Sequence, residues 1–378
     1  MSHDRQIGIK FNRNEARAVV VDFQPIPSLK LAHTFALEGG IGSKHLYNDP
    51  KSVVATLANW VQKNELKGSP AVFSVPSSNA FISWTKLPEV TGTELLAVAR
   101  YRLRKQFPKM DENAVVAVAQ PNGVTEESLA IGVDRHLIDQ RADILSQAGL
   151  VPIGAEVEAQ AMLRIVDHYI SKSGSIDPNS SIGIVQIGTE RTQFIIIQAG
   201  KLGLLRTVRV GSKAIEAAVQ EALQTTSQGA ISAMFANDTW LFNRQFISSL
   251  NGRFDPIDIE PQLQTFVKEF RLLVNYFRSL HPERSYAGVL SKLVVLGQIT
   301  RLRGFTACLA DQLGTSLESF NPLIGLGVEL NAEDYAQVVE EASLYSVPIG
   351  LAQAPYGQSP KTNDSQNPDE YRWSAHAA

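Results

Sequence analysis

The densest basic stretch of the chain is Arg100-Tyr-Arg-Leu-Arg-Lys105, with Lys109 just beyond. Such a run can meet an acidic partner or the anionic headgroups beneath a membrane. Glu94, Asp111 and Glu112 lie close by, and a solvated helix face is the preferred reading. The histidines, at positions 3, 33, 45, 136, 168, 281 and 376, form no H-x-x-x-H or H-E-x-x-H spacing, so no metal site is expected. Cys308 is the only cysteine, which excludes an intramolecular disulfide, a cysteine-rich zinc cluster and an iron–sulfur site. No G-x-S-x-G elbow and no G-x-x-x-x-G-K-[ST] loop is present, so serine-hydrolase and P-loop chemistry have no residues to stand on. Trp60, Trp84 and Trp240 are expected as core or interface anchors.

The 378 residues carry 35 Lys+Arg against 38 Asp+Glu, a net charge of −3, so no overall field points to nucleic acid or a membrane surface. With 44% hydrophobic residues there is apolar material for more than one core, and single cores seldom grow past ~250–300 residues. Two lobes are therefore expected. No apolar leader opens the chain and no window reaches the ~18–20 apolar residues that cross a bilayer. Together with the single cysteine, this leads us to expect a cytosolic protein.

Short β-branched runs at Ile7–Phe11, Ala16–Phe23 and Leu29–Leu37, broken by polar turns, predict a meander of hairpin-connected strands. A helix is predicted over Pro50–Lys63, with Asp49 as N-cap and proline in the first turn. Ala71–Val75 reads as a buried strand. Thr91–Phe107 reads as a helix opened by a Thr91/Glu94 capping box, with Leu95, Ala99, Leu103 and Phe107 on one face. Val115–Ala119 and Ser128–Val133 are predicted to pair, and Asp134 to cap a helix that Gly149 ends. After a helix over Val157–Lys172, the turn-rich stretch 173–181 is the expected lobe boundary. The opening pattern then returns about 175 positions on, as Ile182–Ile187, Thr192–Gln198 and Leu202–Val210, which suggests duplication and not a solenoid. A helix is predicted at Ser212–Leu223, and Gln262–Ser279 carries an apolar face of Leu263, Phe266, Val267, Phe270, Leu273, Val274 and Phe277. Lys292–Leu296 is predicted as a buried strand, and the tail from Pro355 has a disordered composition.

A meander in each half, with an inserted α+β unit in the first and a helical unit in the second, resembles the plan of the actin-like ATPases. Four stretches are similar to the PilM branch of that superfamily, and more distantly to FtsA and the cytoplasmic part of GspL. They are Val157-Glu158-Ala159-Gln160-Ala161; Asp134–Gly149 with Leu150-Val-Pro152; Ile184–Phe194 with Arg209-Val-Gly211; and Val294-Val-Leu-Gly297 through Gly304, with Leu313-Gly-Thr315, Asn321-Pro322 and Ile349-Gly-Leu-Ala352. The resemblance runs in order over residues 5–353. It implies an α/β fold of two actin-like lobes, a duplicated ribonuclease-H-like plan with an inserted α+β subdomain. The first lobe would span 5–81 and 152–179, the insert 82–151, the second lobe 180–212 and 289–353, its mainly helical subdomain 213–288, and a disordered tail 354–378.

The resemblance also locates a nucleotide site and shows what it has lost. The family's first phosphate loop, G-I-D-x-G, reads here Gly8-Ile9-Lys10-Phe11-Asn12, with Lys10 for the aspartate and Asn12 for the glycine. In the second loop Gln186 replaces the aspartate while Gly188 and Thr189 are kept, and the adenosine loop keeps Gly297 but has Gln298 for its second glycine. Mg²⁺ is held through one or two carboxylates and phosphate oxygens, so both anionic anchors are gone and hydrolysis has no metal clamp. Lys10 could hold a metal-free ATP or an acidic side chain, or it could be a structural ion pair. The leading expectation is a PilM-like scaffold without ATP hydrolysis, in a type IV pilus or type II secretion platform. Its implied partner is the N-terminal cytoplasmic peptide of a PilN-like inner-membrane protein, bound as an extended strand near residues 80–110, with Phe81, Trp84, Arg100 and Arg104 placed in that groove by position. The membrane would be reached only through that partner, self-association is a further expectation, and no nucleic acid is expected. The alternatives are an ATP-using enzyme of the actin/hexokinase fold, for which Gly188, Thr189 and Gly297 speak, and a filament-forming relative of FtsA, which the tail's lack of an amphipathic helix disfavours.

Overall fold

The structure, a computed structural model, describes residues 5–42, 45–119, 128–173, 181–198, 201–236, 238–242, 245–248, 255–279, 290 and 292–355. The tail expected to be disordered lies outside them from residue 356 on. The chain divides into two compact units: 1–166 with 325–338 and 345–378, and 167–324 with 339–344.

The first unit is built on β1 (Arg5–Phe11), β2 (Glu15–Asp22), β3 (Ser28–Ala36), α1 (Pro50–Lys63), β4 (Pro70–Val75), β5 (Ala80–Thr85), α2 (Gly92–Gln106), β6 (Val115–Ala119), β7 (Ser128–Val133), α3 (Arg135–Gln147), β8 (Val151–Val157) and, as far as Val166, α4 (Glu158–Ser173). The second unit follows with β9 (Ser181–Ile187), β10 (Thr192–Gln198), β11 (Lys201–Val208), α5 (Lys213–Ala222), α6 (Ser227–Met234), β12 (Trp240–Phe242), β13 (Gln245–Ser248), β14 (Asp255–Asp258), α7 (Glu260–Ser279), β15 (Lys292–Leu296), α8 (Phe305–Leu313) and β16 (Leu317–Ser319). The chain closes with β17 (Gly327–Val328), α9 (Ala332–Glu340) and α10 (Ser346–Ala352).

The main sheet of the first unit has the order β17-β3-β2-β1-β4-β8, with β1 antiparallel to β2 and parallel to β4. Ile7, Ile9 and Phe11 on one face of β1 and the whole of β4 are buried, as expected for strands covered on both sides. On the other face of β1, Gly8 leaves room for α10. A Cβ there would lie 1.9 Å from the Pro348 carbonyl oxygen, and one on Gly350 would lie 2.2 Å from that of Ala161, so these two glycines seat α10 against β1 and α4. Gln6 fixes the end of that helix by donating to the carbonyls of Leu351 (3.1 Å) and Ala354 (2.9 Å). α10 thus belongs to the first unit, whereas the family resemblance implies the second lobe for all of 289–353.

α1 starts where the sequence placed it, with Asp49 accepting from the Ser52 amide at 3.2 Å. Thr91 does occupy the N-cap of α2, but its hydroxyl makes no cap bond, so the expected capping box is not formed. α2 lies on a three-stranded sheet of order β5-β7-β6, burying Leu95, Ala99 and Leu103. α3, expected inside the insert, instead packs against α1, β4 and β8, because Leu137, Ile138, Ala142, Ile144 and Leu145 give it an apolar stripe facing the main sheet.

The sheet of the second unit, β11-β10-β9-β15-β16, repeats the order and directions of β3-β2-β1-β4-β8. The duplication read from the two meanders is therefore a duplication of topology. Its core joins Phe194 and Ile196 to Phe266, Phe270 and Phe277 of α7 and Phe305 of α8. The region expected to be mainly helical also holds a small antiparallel sheet, β12-β13-β14. Strands of three or four residues show too little alternation to be seen in a sequence.

Candidate functional site

Lys10 lies near the end of β1, on the face that also carries Gln6 and Gly8, and its ammonium stands 3.5 Å from Glu158 at the start of α4. The two side chains are only 12% and 6% exposed, so water offers little alternative to the pairing. Phe11, on the opposite face, has the Arg141 guanidinium 5.4 Å from its ring centre. Arg141 is fully buried and donates to the Ser74 carbonyl, while its Nε and Nη2 have no hydrogen-bond partner among the described residues. Burial lowers its pKa, and Tyr47 and Glu158 oppose that shift.

The turn after β1 is held from several sides. The Asn12 amide donates to the Glu15 carbonyl at 2.9 Å and its side-chain amide to the Glu15 carboxylate at 3.0 Å. Arg17 clamps the same carboxylate at 2.8 and 2.9 Å. Tyr47 donates its hydroxyl to the Asn12 carbonyl at 2.6 Å, and Gln140 of α3 holds the Tyr47 backbone from both sides at 2.8 and 3.1 Å. Burial raises the Tyr47 phenol above its ordinary range. Asn12 does not adopt a left-handed backbone, so this turn has no conformational need for the family's glycine. A loop that cradles phosphate offers free amides and an uncommitted cation. Here the cation faces a carboxylate and the amide at the glycine position closes the hairpin.

In the second unit Gln186 sits on β9, opposite Gln193 of β10 and beside Leu296 of β15. The register brings Gly297 to the end of β9. Its φ is +122°, and a Cβ there would lie 2.0 Å from the Ile187 carbonyl oxygen, so only glycine fits. The Gly297 carbonyl accepts from the Thr300 amide (3.1 Å), the Thr300 hydroxyl (2.7 Å) and the Ser343 hydroxyl (3.2 Å), and half-buried Gln298 opens the short helical turn that follows. Gly188 closes its turn by donating to the Arg191 carbonyl at 2.9 Å, and the carbonyls of Gly188 and Thr189 accept from Ser212 and Lys213 at the start of α5, each at 2.9 Å. Gln186, Gly188, Thr189, Gly297 and Gln298 are thus neighbours, and the leading amides of α5 are engaged by the loop itself.

The four residues placed in a partner groove by position are divided between a core and two separate faces. Phe81 points from β5 into the core beneath α2, stacking near Phe107 with ring centres 5.5 Å apart, and Ser83 bonds Gln106 of α2. Ile82 and Trp84 alternate with them and so occupy the opposite face, beside buried Ile131 and Leu129. Among the described residues β5 pairs on one side only, with β7. Arg100 and Arg104 stand on the outer side of α2, held by the Glu112 carbonyl and carboxylate, each at 2.8 Å. Sequence reading missed Arg141, Glu15 and Tyr47. Only Arg141 left a signal, a cation at helical spacing within the apolar stripe of Leu137, Ile138, Ala142 and Leu145.

Among the described residues no group of three or more His, Cys, Asp or Glu is arranged to hold a metal ion, and no helix is long and apolar enough to cross a membrane. The family model described as type IV pilus assembly protein PilM matches residues 109–355. No protein of curated function matches the chain. Among solved structures the chain is similar to the PilM-PilN type IV pilus biogenesis complex, with a TM-score of 0.74 and 18% identity over 94% of this chain and 99% of that one. It is also similar to the ethanolamine utilization protein EutJ of Carboxydothermus hydrogenoformans (TM-score 0.49, 13% identity, 92% of this chain and 89% of that one). MreB5 of Spiroplasma citri bound to AMPPNP gives 0.43 and 12% identity over 90% and 95%. At 18% identity the likeness to the PilM-PilN complex speaks to the fold alone, which is the two-lobed actin-like fold.

Proposed function

Because this chain belongs to the family of the type IV pilus assembly protein PilM, we propose that it acts in pilus assembly as a non-catalytic platform for a PilN-like membrane protein. The observation that carries the non-catalytic part is the internal use of the first phosphate loop. Lys10 is paired with Glu158, and the Asn12 amides are taken by Glu15. An incoming triphosphate would have to break a buried ion pair before gaining its first contact, and at Lys10 and Gln186, where the family pattern has its two aspartates, there is no carboxylate to bring Mg²⁺.

For the partner, the free edge of β5 is the preferred seat. An extended N-terminal segment adding to that edge would gain backbone hydrogen bonds, with alternate side chains selected by the face that carries Ile82 and Trp84. The solved relative is a complex of PilM with PilN, which supports a partner of this type. Through it the chain would sit at the cytoplasmic side of the inner membrane without entering it. Trp84 is then the anchor to test, while Arg100 and Arg104 belong to another surface. Deleting residues 82–151 would also remove α3 from the main core, so point variants are the cleaner probe. In an isothermal titration with the PilN-like peptide, Trp84→Ala should weaken binding by about tenfold or more, as loss of an aromatic anchor does. Unchanged affinity would remove β5 as the seat.

A further inference from the structure

We propose that the outer face of α2 is a second docking surface, which takes an acidic amphipathic helix of a protein partner. It goes beyond the PilN-like reading, since it lies on the side of the insert away from the Ile82–Trp84 face. α2 buries Leu95, Ala99 and Leu103 and leaves Ala97, Tyr101, Arg104 and Lys105 exposed. There an open, shallow depression of about 850 Å³ lies along the helix, with Leu96, Ala97 and Tyr101 as its apolar lining and Arg100, Arg104 and Lys105 as its cations. Tyr101, 69% exposed, stands between the cations Arg100 and Arg104 on this face and offers an aromatic ring to an incoming side chain. The positions repeat at helical spacing, so the depression follows one continuous stripe.

The charges select the occupant. Arg100 and Arg104 are pinned by Glu112 at 2.8 Å and present their remaining donors in fixed orientations, and Lys105 has no carboxylate partner among the described residues. A helix with apolar side chains at i, i+3 or i+4, and i+7 fits the lining, and flanking Asp or Glu would meet the three cations. A lipid surface fits less well. Residues 89–112 hold five cations (Arg100, Arg102, Arg104, Lys105, Lys109) and four anions (Glu89, Glu94, Asp111, Glu112), a net +1. Headgroup recognition uses clusters of about 4–8 Lys/Arg.

The test replaces Tyr101 with a benzophenone amino acid in the full-length chain, expressed in its native cells and irradiated. The expected product is an adduct to a protein segment that is rich in Asp and Glu and carries apolar residues at helical spacing. In an Arg104→Glu, Lys105→Glu background its yield should fall about tenfold, and the synthetic segment should bind the parent chain less tightly as salt rises. The same label at Val151, which is also exposed, should give no such adduct. The proposal is overturned by the absence of an adduct, by an adduct to lipid, to a second copy of this chain or to a neutral or basic segment, and by an adduct to the PilN-like segment. Because Tyr101 lies away from β5, the labelled chain should titrate the PilN-like peptide as the parent does. That readout separates failure of this proposal from failure of the β5 reading.

Discussion

The Lys10–Glu158 pair offers the sharpest perturbation. At 3.5 Å and an effective dielectric near 20 the attraction is about 5 kcal/mol before desolvation is charged against it. Removing one partner of such a buried pair generally costs about 3–5 kcal/mol, because the other charge is left without compensation. The structure makes the two single variants unequal. Lys10→Met leaves Glu158 with the influence of Arg141, so a loss near 2 kcal/mol is expected. Glu158→Gln strands both cations and should cost about 4 kcal/mol. The double variant should cost about 2 kcal/mol less than the sum, the signature of direct coupling. Lys10→Asp, which restores the family's carboxylate, should be worse than Lys10→Met because it sets two carboxylates face to face. Urea denaturation of the full chain measures these losses, and hydrogen exchange in β1 and α4 assigns them to the first unit. Single losses below about 0.5 kcal/mol, or a strictly additive double variant, would refute the reasoning and return Lys10 to the list of free anion-binding cations.

Other consequences can be checked on the same chain. Gly297→Ala should cost at least about 3 kcal/mol in urea unfolding, because its φ suits only glycine and the new Cβ meets the Ile187 backbone. Tyr47 has a folded pKa raised by burial above the ordinary 10.0, so the unfolded state ionises first. Its contribution is therefore whole below about pH 10 and is lost as pH rises further. Tyr47→Phe should cost about 1 kcal/mol at pH 8 and flatten the loss between pH 8 and 10.5. Arg141→Ala should destabilise by about 3 kcal/mol or more, and Arg141→Met by at least about 2 kcal/mol less, because it keeps the packing against Phe11 without a partly unpaired guanidinium.

The sequence already showed most of the fold wherever a local rule and the tertiary environment agree. Asp49-Pro50 opens α1 because the cap, the proline and the apolar spacing all point to the same start. The two meanders are visible because their strands are apolar-rich runs of seven to nine residues separated by polar turns. What escaped has two physical causes. Some elements are too short or too polar to carry a period, as with β12 to β14 and with α9, where Glu333, Asp334, Glu340 and Tyr335 blur the stripe. Other features exist only through long-range contact. Nothing local pairs Lys10 with a carboxylate 148 positions away, nor shows that Gly8 and Gly350 are glycines because α10 must sit close. The substitutions at the two phosphate loops were legible by comparison with the family pattern, but their consequence was not. That Asn12 is stitched to Glu15, and Glu15 to Arg17, becomes visible only when the hairpin is closed. The partner surface fared worst. Phe81, Trp84, Arg100 and Arg104 are close in sequence, yet strand alternation and the helix above the sheet send them to a core and two separate faces.

The central claim, a platform that grips an extended membrane-protein segment without help from nucleotide, is tested most directly by one calorimetric titration. The PilN-like N-terminal peptide is titrated into the full chain with no nucleotide, with ATP, and with ATP and Mg²⁺, and each is repeated with Trp84→Ala. The account predicts saturable one-to-one binding of equal affinity in all three conditions, weakened about tenfold by Trp84→Ala. Binding that requires ATP and Mg²⁺, or no binding in any condition, would contradict it.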